Sequence, residues 1–351
     1  MRTFEERVDP ELLPGLAYSR AYPPPTSTAG LAAFRDSAEA PVAAAAADGV
    51  TVRDVRTAGP GAAAPGAGDL RLRVFTPPGP GPHLAVYWIH GGGMIAGSVD
   101  LDTGYCAALC ARVAAVVVAV EYRLAPEHPF PAPLEDVAAG LRWLVASASE
   151  LDVDPARVAV AGSSAGAGLA AALTLLTRDE GGPAIAFSYL MYPMLDASHA
   201  SPSAREFTDI PTWNRAHSEF AWGCYLGAGW PGDADGTSGP PSSYAVPALA
   251  ADLAGLPPTL IQTGELDLFR DEDISFAARL LQAGVPTELH VYPGAYHGFE
   301  LNRPHSRLGR QCLADRDRAL LRALHPPARR PAPTPDSPGA GSGAATKGIR
   351  P

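Results

Sequence analysis

No stretch of this 351-residue chain stays apolar long enough to cross a bilayer, so stable membrane insertion is not expected. Basic residues are outnumbered, 27 Lys and Arg against 37 Asp and Glu, and the resulting net charge of −10 argues against a nucleic-acid partner. Cysteine is scarce. The four present, Cys106, Cys110, Cys224 and Cys312, form no C-x-x-C pair and no cluster with histidine at zinc-ligand spacing. Reduced, mostly buried thiols are therefore expected, with no metal and no disulfide. Aromatic residues make up only 7%, and alanine fills the apolar share instead. The opening Met1-Arg2-Thr3-Phe4-Glu5-Glu6-Arg7 is charged and leads into no apolar segment, unlike a secretory signal, so a cytoplasmic protein is expected. There is no internal repeat.

What is present is an alternation. Residues 50–55 and 70–75 alternate apolar and polar side chains, as half-buried antiparallel strands do, with a Gly/Ala/Pro-rich loop at 59–68 between them. Residues 83–89, 114–120, 158–161, 185–191, 259–262 and 289–292 are short and nearly all apolar, which suits strands covered on both faces. Helix-like segments at 105–113, 134–147, 169–177 and 274–283 separate most of them. The pattern predicts an α/β domain with a doubly wound, mostly parallel sheet. Residues 197–256 interrupt it with Phe207, Trp213, Phe220, Trp222, Tyr225 and Trp230, and are read as an inserted helical subdomain. Residues 1–48 hold several prolines and a helix-compatible stretch at 31–47. They are either a dispensable extension or a lid, and Phe4, Tyr18, Tyr22 and Phe34 favour the lid. Residues 326–351 read as a disordered tail.

One pentapeptide organises this frame. Gly162-Ser163-Ser164-Ala165-Gly166 follows a strand and precedes a helix, which is the setting of a nucleophile elbow; a plain strand-to-helix turn is the simpler alternative. Upstream, the strand ending at Ile89 runs into His90-Gly91-Gly92-Gly93, a loop able to aim backbone N–H groups at a developing oxyanion. A dinucleotide-binding reading fits less well, because Gly91, Gly93 and Gly97 are one residue too widely spaced. Downstream, Glu265 and Asp267 follow one predicted strand and His297 follows another, giving the chain order serine, acid, histidine of α/β-hydrolases. A serine nucleophile needs such a base and an acid to orient it. Asp267 is preferred as the acid, with Glu265 close behind and Asp196 a further option; Asp271, Glu272 and Asp273 suit the start of the next helix. His290, within a strand, and His305, opening a later helix, rank below His297.

These motifs together resemble the hormone-sensitive-lipase-like group of α/β-hydrolases, the bacterial type IV esterases, over residues 50–324. The stretch from Glu121 to Ala132, EYRLAPEHPFPA, extends the match. The resemblance implies an α/β-hydrolase fold with a mostly parallel central sheet flanked by helices. A helical cap would come from the N-terminal segment, 1–48, and from an insertion after the sixth strand, 197–256. The catalytic domain would then be 49–196 and 257–325. It implies Ser164 as nucleophile, Asp267 as acid and His297 as base, with an oxyanion hole from the N–H groups of Gly92, Gly93 and Ala165. His90 would orient the glycine loop, and Arg123 and Glu127 would sit in buried or half-buried pairs. Two positions depart from the family: Ser163, usually Asp or Thr, and Glu121, usually Asp.

The expected activity is that of a serine carboxylesterase on short- to medium-chain acyl esters, with no cofactor. Met94, Phe207, Trp213, Trp222, Tyr225, Phe269 and Phe299 are candidates for an apolar substrate pocket, and ordinary packing is the simpler role for any one of them. An amide, lactone or natural-product substrate, an elimination reaction, or a non-catalytic receptor on the same scaffold are the alternatives; the presence of His297 weighs against the receptor. The partner expected is a small-molecule ester, and a homodimer is left open.

Overall fold

The nearly all-apolar segments lie side by side in one sheet. The computed structural model describes residues 3–21, 23–38, 47–60, 69–227 and 241–325. Among these, eight strands run β1 (Thr51–Ala58), β2 (Asp69–Thr76), β3 (His83–Ile89), β4 (Ala115–Glu121), β5 (Val153–Ser163), β6 (Phe187–Met191), β7 (Thr259–Leu266) and β8 (Thr287–Tyr296). Their spatial order is β1-β2-β4-β3-β5-β6-β7-β8. β1 pairs with β2, and β2 with β4, in antiparallel fashion; every pairing from β4 through β8 is parallel. This is the α/β-hydrolase fold.

Helices precede, separate and follow the strands. α1 (Phe4–Arg7), α2 (Leu16–Ala21) and α3 (Thr28–Ala38) come before the sheet. α4 (Thr103–Val113), α5 (Ala132–Ala146) and α6 (Ala165–Glu180) connect β3 through β6. α7 (Pro202–Glu206) and α8 (Arg215–Leu226) lie between β6 and β7, α9 (Arg270–Gln282) joins β7 to β8, and α10 (Phe299–Asn302) and α11 (Arg307–Leu324) close the described chain. α4 packs on α11, and α5 packs on α6, so the centre of the sheet is sandwiched between helical layers. That cover is why Leu84 to Ile89 of β3 and Ala115 to Val120 of β4 carry no polar alternation: all are buried. β1 is the opposite case. It is an exposed edge strand whose charges, Arg53, Asp54 and Arg56, discourage pairing with another chain. Asp54 and Asp100 jointly clamp Arg71 and Arg73 of β2 at 2.7–3.0 Å.

Several boundaries differ from those expected. β7 and β8 run on to Leu266 and Tyr296, past Gly264, Pro293 and Gly294, residues that signal turns. The strands absorb them through a register shift between Gly264 and Leu266. The helix expected over 31–47 begins at Thr28, and residues 39–46 lie outside the described ones. So do most of the 59–68 loop, Tyr22, the Tyr18 side chain, Trp230 and the 326–351 tail. All four cysteines are free, three of them buried, and among the described residues no His/Cys/Asp/Glu group could hold a metal. No helix among the described residues is long and apolar enough to cross a membrane.

Gly140, in the middle of α5, faces the buried ring of Tyr87, whose hydroxyl donates to the Val137 carbonyl at 2.9 Å. A β-carbon at Gly140 would stand 2.2 Å from that hydroxyl. Helix propensity alone favours alanine there by about 1 kcal/mol, whereas overpacking against a rigid buried ring costs about 1–3 kcal/mol. Gly140→Ala is therefore expected to lower stability, read as a lower urea midpoint with unchanged slope; a raised midpoint would contradict this account.

Candidate active site

Four parallel strands end one residue short of a polar group that matters. β3 stops at Ile89 before His90, β5 at Ser163 before Ser164, β7 at Leu266 before Asp267 and β8 at Tyr296 before His297. The carboxyl ends of a parallel sheet thus bring together residues far apart in sequence, as open α/β sheets do.

Ser164 adopts φ 55°, ψ −122°, a conformation costly for a residue with a β-carbon. Three backbone hydrogen bonds hold it: its N–H donates to the Met191 carbonyl at 2.8 Å, and its carbonyl accepts from Gly168 at 3.0 Å and Met194 at 3.1 Å. The turn also needs its two glycines. A β-carbon on Gly166 would lie 2.2 Å from the Ile89 carbonyl oxygen, and one on Gly162 would lie 2.5 Å from Gly166. The tight turn lifts the Ser164 hydroxyl toward His297, whose Nε2 stands 2.9 Å from Oγ. The other ring nitrogen, Nδ1, lies 2.9 Å from Asp267 Oδ2. A carboxylate accepts, so Nδ1 carries the proton and Nε2 is left to accept from the serine hydroxyl. Asp267 is buried, and its second oxygen accepts from the Phe269 N–H at 2.9 Å. The other acids considered are engaged elsewhere. Glu265 accepts from the Gly294 N–H, and Asp196 caps the turn at Ser198. Asp271, Glu272 and Asp273 lie in the first turn of α9, as their composition suggested. His290 pairs with Glu288 on β8, and His305 lies just before α11, whose cap is Ser306.

The glycine loop is set by His90. Its Nδ1 donates to the Gly91 carbonyl at 2.8 Å, its ring stacks on Tyr122 at 4.1 Å, and Tyr122 donates to its carbonyl at 3.0 Å. Burial lowers the His90 pKa, so the ring is neutral. Gly92 (φ 113°) and Gly93 (φ 65°) adopt backbone conformations that side chains resist. Gly92, Gly93, Ser164 and His297 line one cavity of about 270 Å³. Ala165 follows as the first, buried residue of α6. Both departures from the family are accommodated. Glu121 accepts from the Val99 N–H at 2.9 Å, and Ser163 lies against Gly91 on the cavity wall.

The lining differs from the one expected. Trp213 is in it, close over Gly93. Phe269 and Phe299 lie beneath instead: Phe269 sets its edge 5.3 Å from the His297 ring, and Phe299 packs on Tyr292. Met94 is buried against Gly168, Phe207 packs on Phe4 under Arg7 and Arg270, and Trp222 packs on Tyr225. In their place the wall takes Ser19, Pro24 and Phe34 from the N-terminal segment, Leu301 and Asn302 from α10, and Tyr192. Tyr192 directly follows β6, so the strand-end rule that located Ser164 would also have located it. Arg35, next to Phe34, bonds Glu127 through two nitrogens at 2.8 Å and reaches the Ile95 and Ala125 carbonyls at 2.7 and 2.8 Å. Glu127 is thus paired but more exposed than expected, while Arg123 pairs with buried Asp136 at 2.8 Å.

Behind the histidine, the Tyr192 ring lies 4.3 Å from that of His297, and its hydroxyl donates to Glu300 Oε1 at 2.6 Å. Glu300 is buried, and burial pushes its carboxyl up to about 7.

A profile of the alpha/beta hydrolase fold matches residues 86–301. Carboxylesterase NlhH of Mycobacterium tuberculosis is 40% identical over 236 residues, spanning 67% of this chain and 72% of its own. Esterase LipI of the same organism is 38% identical over 239 residues, 66% of this chain and 72% of its own. Among solved structures, a bacterial heroin esterase superposes with a TM-score of 0.82 at 39% identity, covering 92% of this chain and 99% of that one. Esterase LipW from Mycobacterium marinum gives 0.81 at 36% identity, covering 92% and 98%.

Glu300 makes stability pH-dependent. The unfolded chain releases this proton near the ordinary glutamate value of about 4.3, the folded chain only near 7. Between those values the folded state binds more protons, so this contribution to stability falls as pH rises through the window. Glu300→Gln, which still offers Tyr192 an acceptor, is expected to remove it. Across pH 5 to 8 the wild type should lose on the order of 2 kcal/mol more than the variant in guanidinium unfolding. Parallel losses in the two proteins would contradict this.

Proposed function

The chain belongs to the hormone-sensitive-lipase-like, bacterial type IV family of alpha/beta hydrolases and is a carboxylic ester hydrolase, and from that premise we propose that it cleaves short- to medium-chain acyl esters through Ser164, His297 and Asp267. The observation that carries this reading is the continuous hydrogen-bond chain from the serine hydroxyl through the imidazole to a buried carboxylate, both links at 2.9 Å. It opens onto a cavity at the small end of ligand-pocket sizes, which supports short acyl chains.

In the proposed reaction Ser164 Oγ attacks the ester carbonyl as His297 Nε2 takes its proton. The carbonyl oxygen becomes negative against the N–H groups of Gly92, Gly93 and Ala165, where fixed donors lower the barrier. Asp267 holds the ring in the right tautomer and stabilises the imidazolium. The alcohol leaves with the proton from His297. Water, deprotonated by the same nitrogen, then frees the acid and restores the serine. Residues 1–48 and 197–256 act as a cap, a role supported by Phe34 from the first and Trp213 from the second in the cavity wall. Free thiols at all four cysteines suit a cytoplasmic location.

Ser164→Ala should reduce kcat for p-nitrophenyl butyrate by several orders of magnitude, and Asp267→Asn by roughly 10² to 10⁴. A fluorophosphonate probe should label the wild type at Ser164 alone. Hydrolysis by Ser164→Ala at the wild-type rate would overturn the assignment. So would a preference for long-chain emulsified triglyceride in the case of chain length.

A further inference from the structure

The cavity bordered by Ser164 is also lined by His90, Ser98, Leu101 and Asp102, and here two acceptors, Asp102 Oδ1 and His90 Nε2, have no donor among the described residues. Asp102 is the N-cap residue of α4, but its side chain makes no capping hydrogen bond. Its Oδ2 accepts the Trp88 indole N–H at 2.6 Å. Among the described residues none donates to Oδ1 and no Lys or Arg pairs with the carboxylate; Arg71 and Arg73 pair with Asp100 instead. The charged or titratable side chains that face it are His90, kept neutral by burial, Glu121, a second acid, and Cys106 and Tyr122, whose buried thiol and hydroxyl carry no charge. Burial holds the Asp102 carboxyl above the usual carboxylate range. His90 adds a second unmet acceptor. Its Nδ1 proton is spent on the Gly91 carbonyl, so Nε2 carries a lone pair, and that buried nitrogen has no partner. Asp102 is half-buried and borders the cavity, and a carboxylate with so little access to water is best matched by a cation or further donors. Trp88 supplies one donor and no charge.

We infer that the Asp102 side of this cavity receives a protonated amine, so that the favoured esters carry a basic nitrogen on the acyl or the alcohol part. The ammonium would bring the positive charge Asp102 lacks and the N–H that its free oxygen or His90 Nε2 can accept, while the ester carbonyl reaches Ser164. A neutral hydroxyl would satisfy one acceptor and leave the charge unmatched, which is why a cation is the better fit beside two acids. The inference rests on the esterase reading and narrows its substrate class.

Isosteric ester pairs test it, since each replaces only the ammonium N–H by C–H. 2-(Dimethylamino)ethyl acetate against 3-methylbutyl acetate tests the alcohol side. Ethyl 3-(dimethylamino)propanoate against ethyl 4-methylpentanoate tests the acyl side. Hydrolysis followed by pH-stat near pH 7 should show the amine favoured in kcat/KM by about tenfold or more in at least one pair. Asp102→Asn, which keeps an acceptor for the Trp88 indole, should bring that ratio close to one, and Asp102→Glu should retain a preference for the amine. The ratio within one protein is independent of how much of it is active. Equal rates within both pairs in the wild type, or a preference that survives Asp102→Asn, would overturn the inference and leave the esterase standing. Failure to hydrolyse any of the four esters would overturn the esterase reading itself.

Discussion

Everything at the site depends on how closely the start of α6 lies against the end of β3. With glycine at 166, the helix approaches the Ile89 and His90 carbonyls to within the space a β-carbon would need. That contact fixes the Ser164 turn relative to the glycine loop, so Ser164 and the N–H groups of Gly92 and Gly93 are placed by backbone and not by flexible side chains. Holding Ser164 at positive φ costs on the order of 1–3 kcal/mol. The cost is offset by the burial of the first eleven residues of α6, from Ala165 to Leu175, against the sheet and α5. Strain is tolerated at the serine because the helix that follows it is over-determined.

The second constraint is electrostatic. Burial pushes Glu272, Asp273 and Glu300 upward, in each case by desolvation first. Asp267 lies in the same region, beside a histidine that can become a cation. Burial thus disfavours the charged form of these three acids, while Asp267 is the carboxyl that bonds the His297 ring directly, at 2.9 Å. Tyr192, Trp213 and Phe269 crowd the ring and restrict the water that would weaken the pairing.

How much of this could be read beforehand follows from which forces act locally. Ser164, Asp267 and His297 were legible because each follows an apolar run, and the ends of parallel strands converge whatever the loops do. Gly162 and Gly166 marked the elbow for the same reason. Of the wall, Trp213 was legible and most of the rest was not. Phe207, Trp222, Phe269 and Phe299 are apolar and near the right loops, but whether an aromatic faces a cavity or packs beneath it is decided by tertiary packing. Ser19, Pro24 and Phe34 reach the cavity from 130 or more residues before Ser164, with no periodic signal to announce it. The strand ends of β7 and β8 were hidden by Gly264 and Gly294. Gly264 serves there as the place where two strands approach too closely for a side chain, its absent β-carbon lying 2.3 Å from the Ala295 carbonyl oxygen.

Arg35 gives the N-terminal segment a mechanical standing. One guanidinium ties α3 at once to Glu127, to the Ala125 carbonyl and to the Ile95 carbonyl, two residues beyond the glycine loop. The segment is a brace as much as a cover. Trimming the chain through α3 would leave the Ile95 and Ala125 carbonyls without their Arg35 donor at the root of the loop, so α3 cannot be treated as a detachable module.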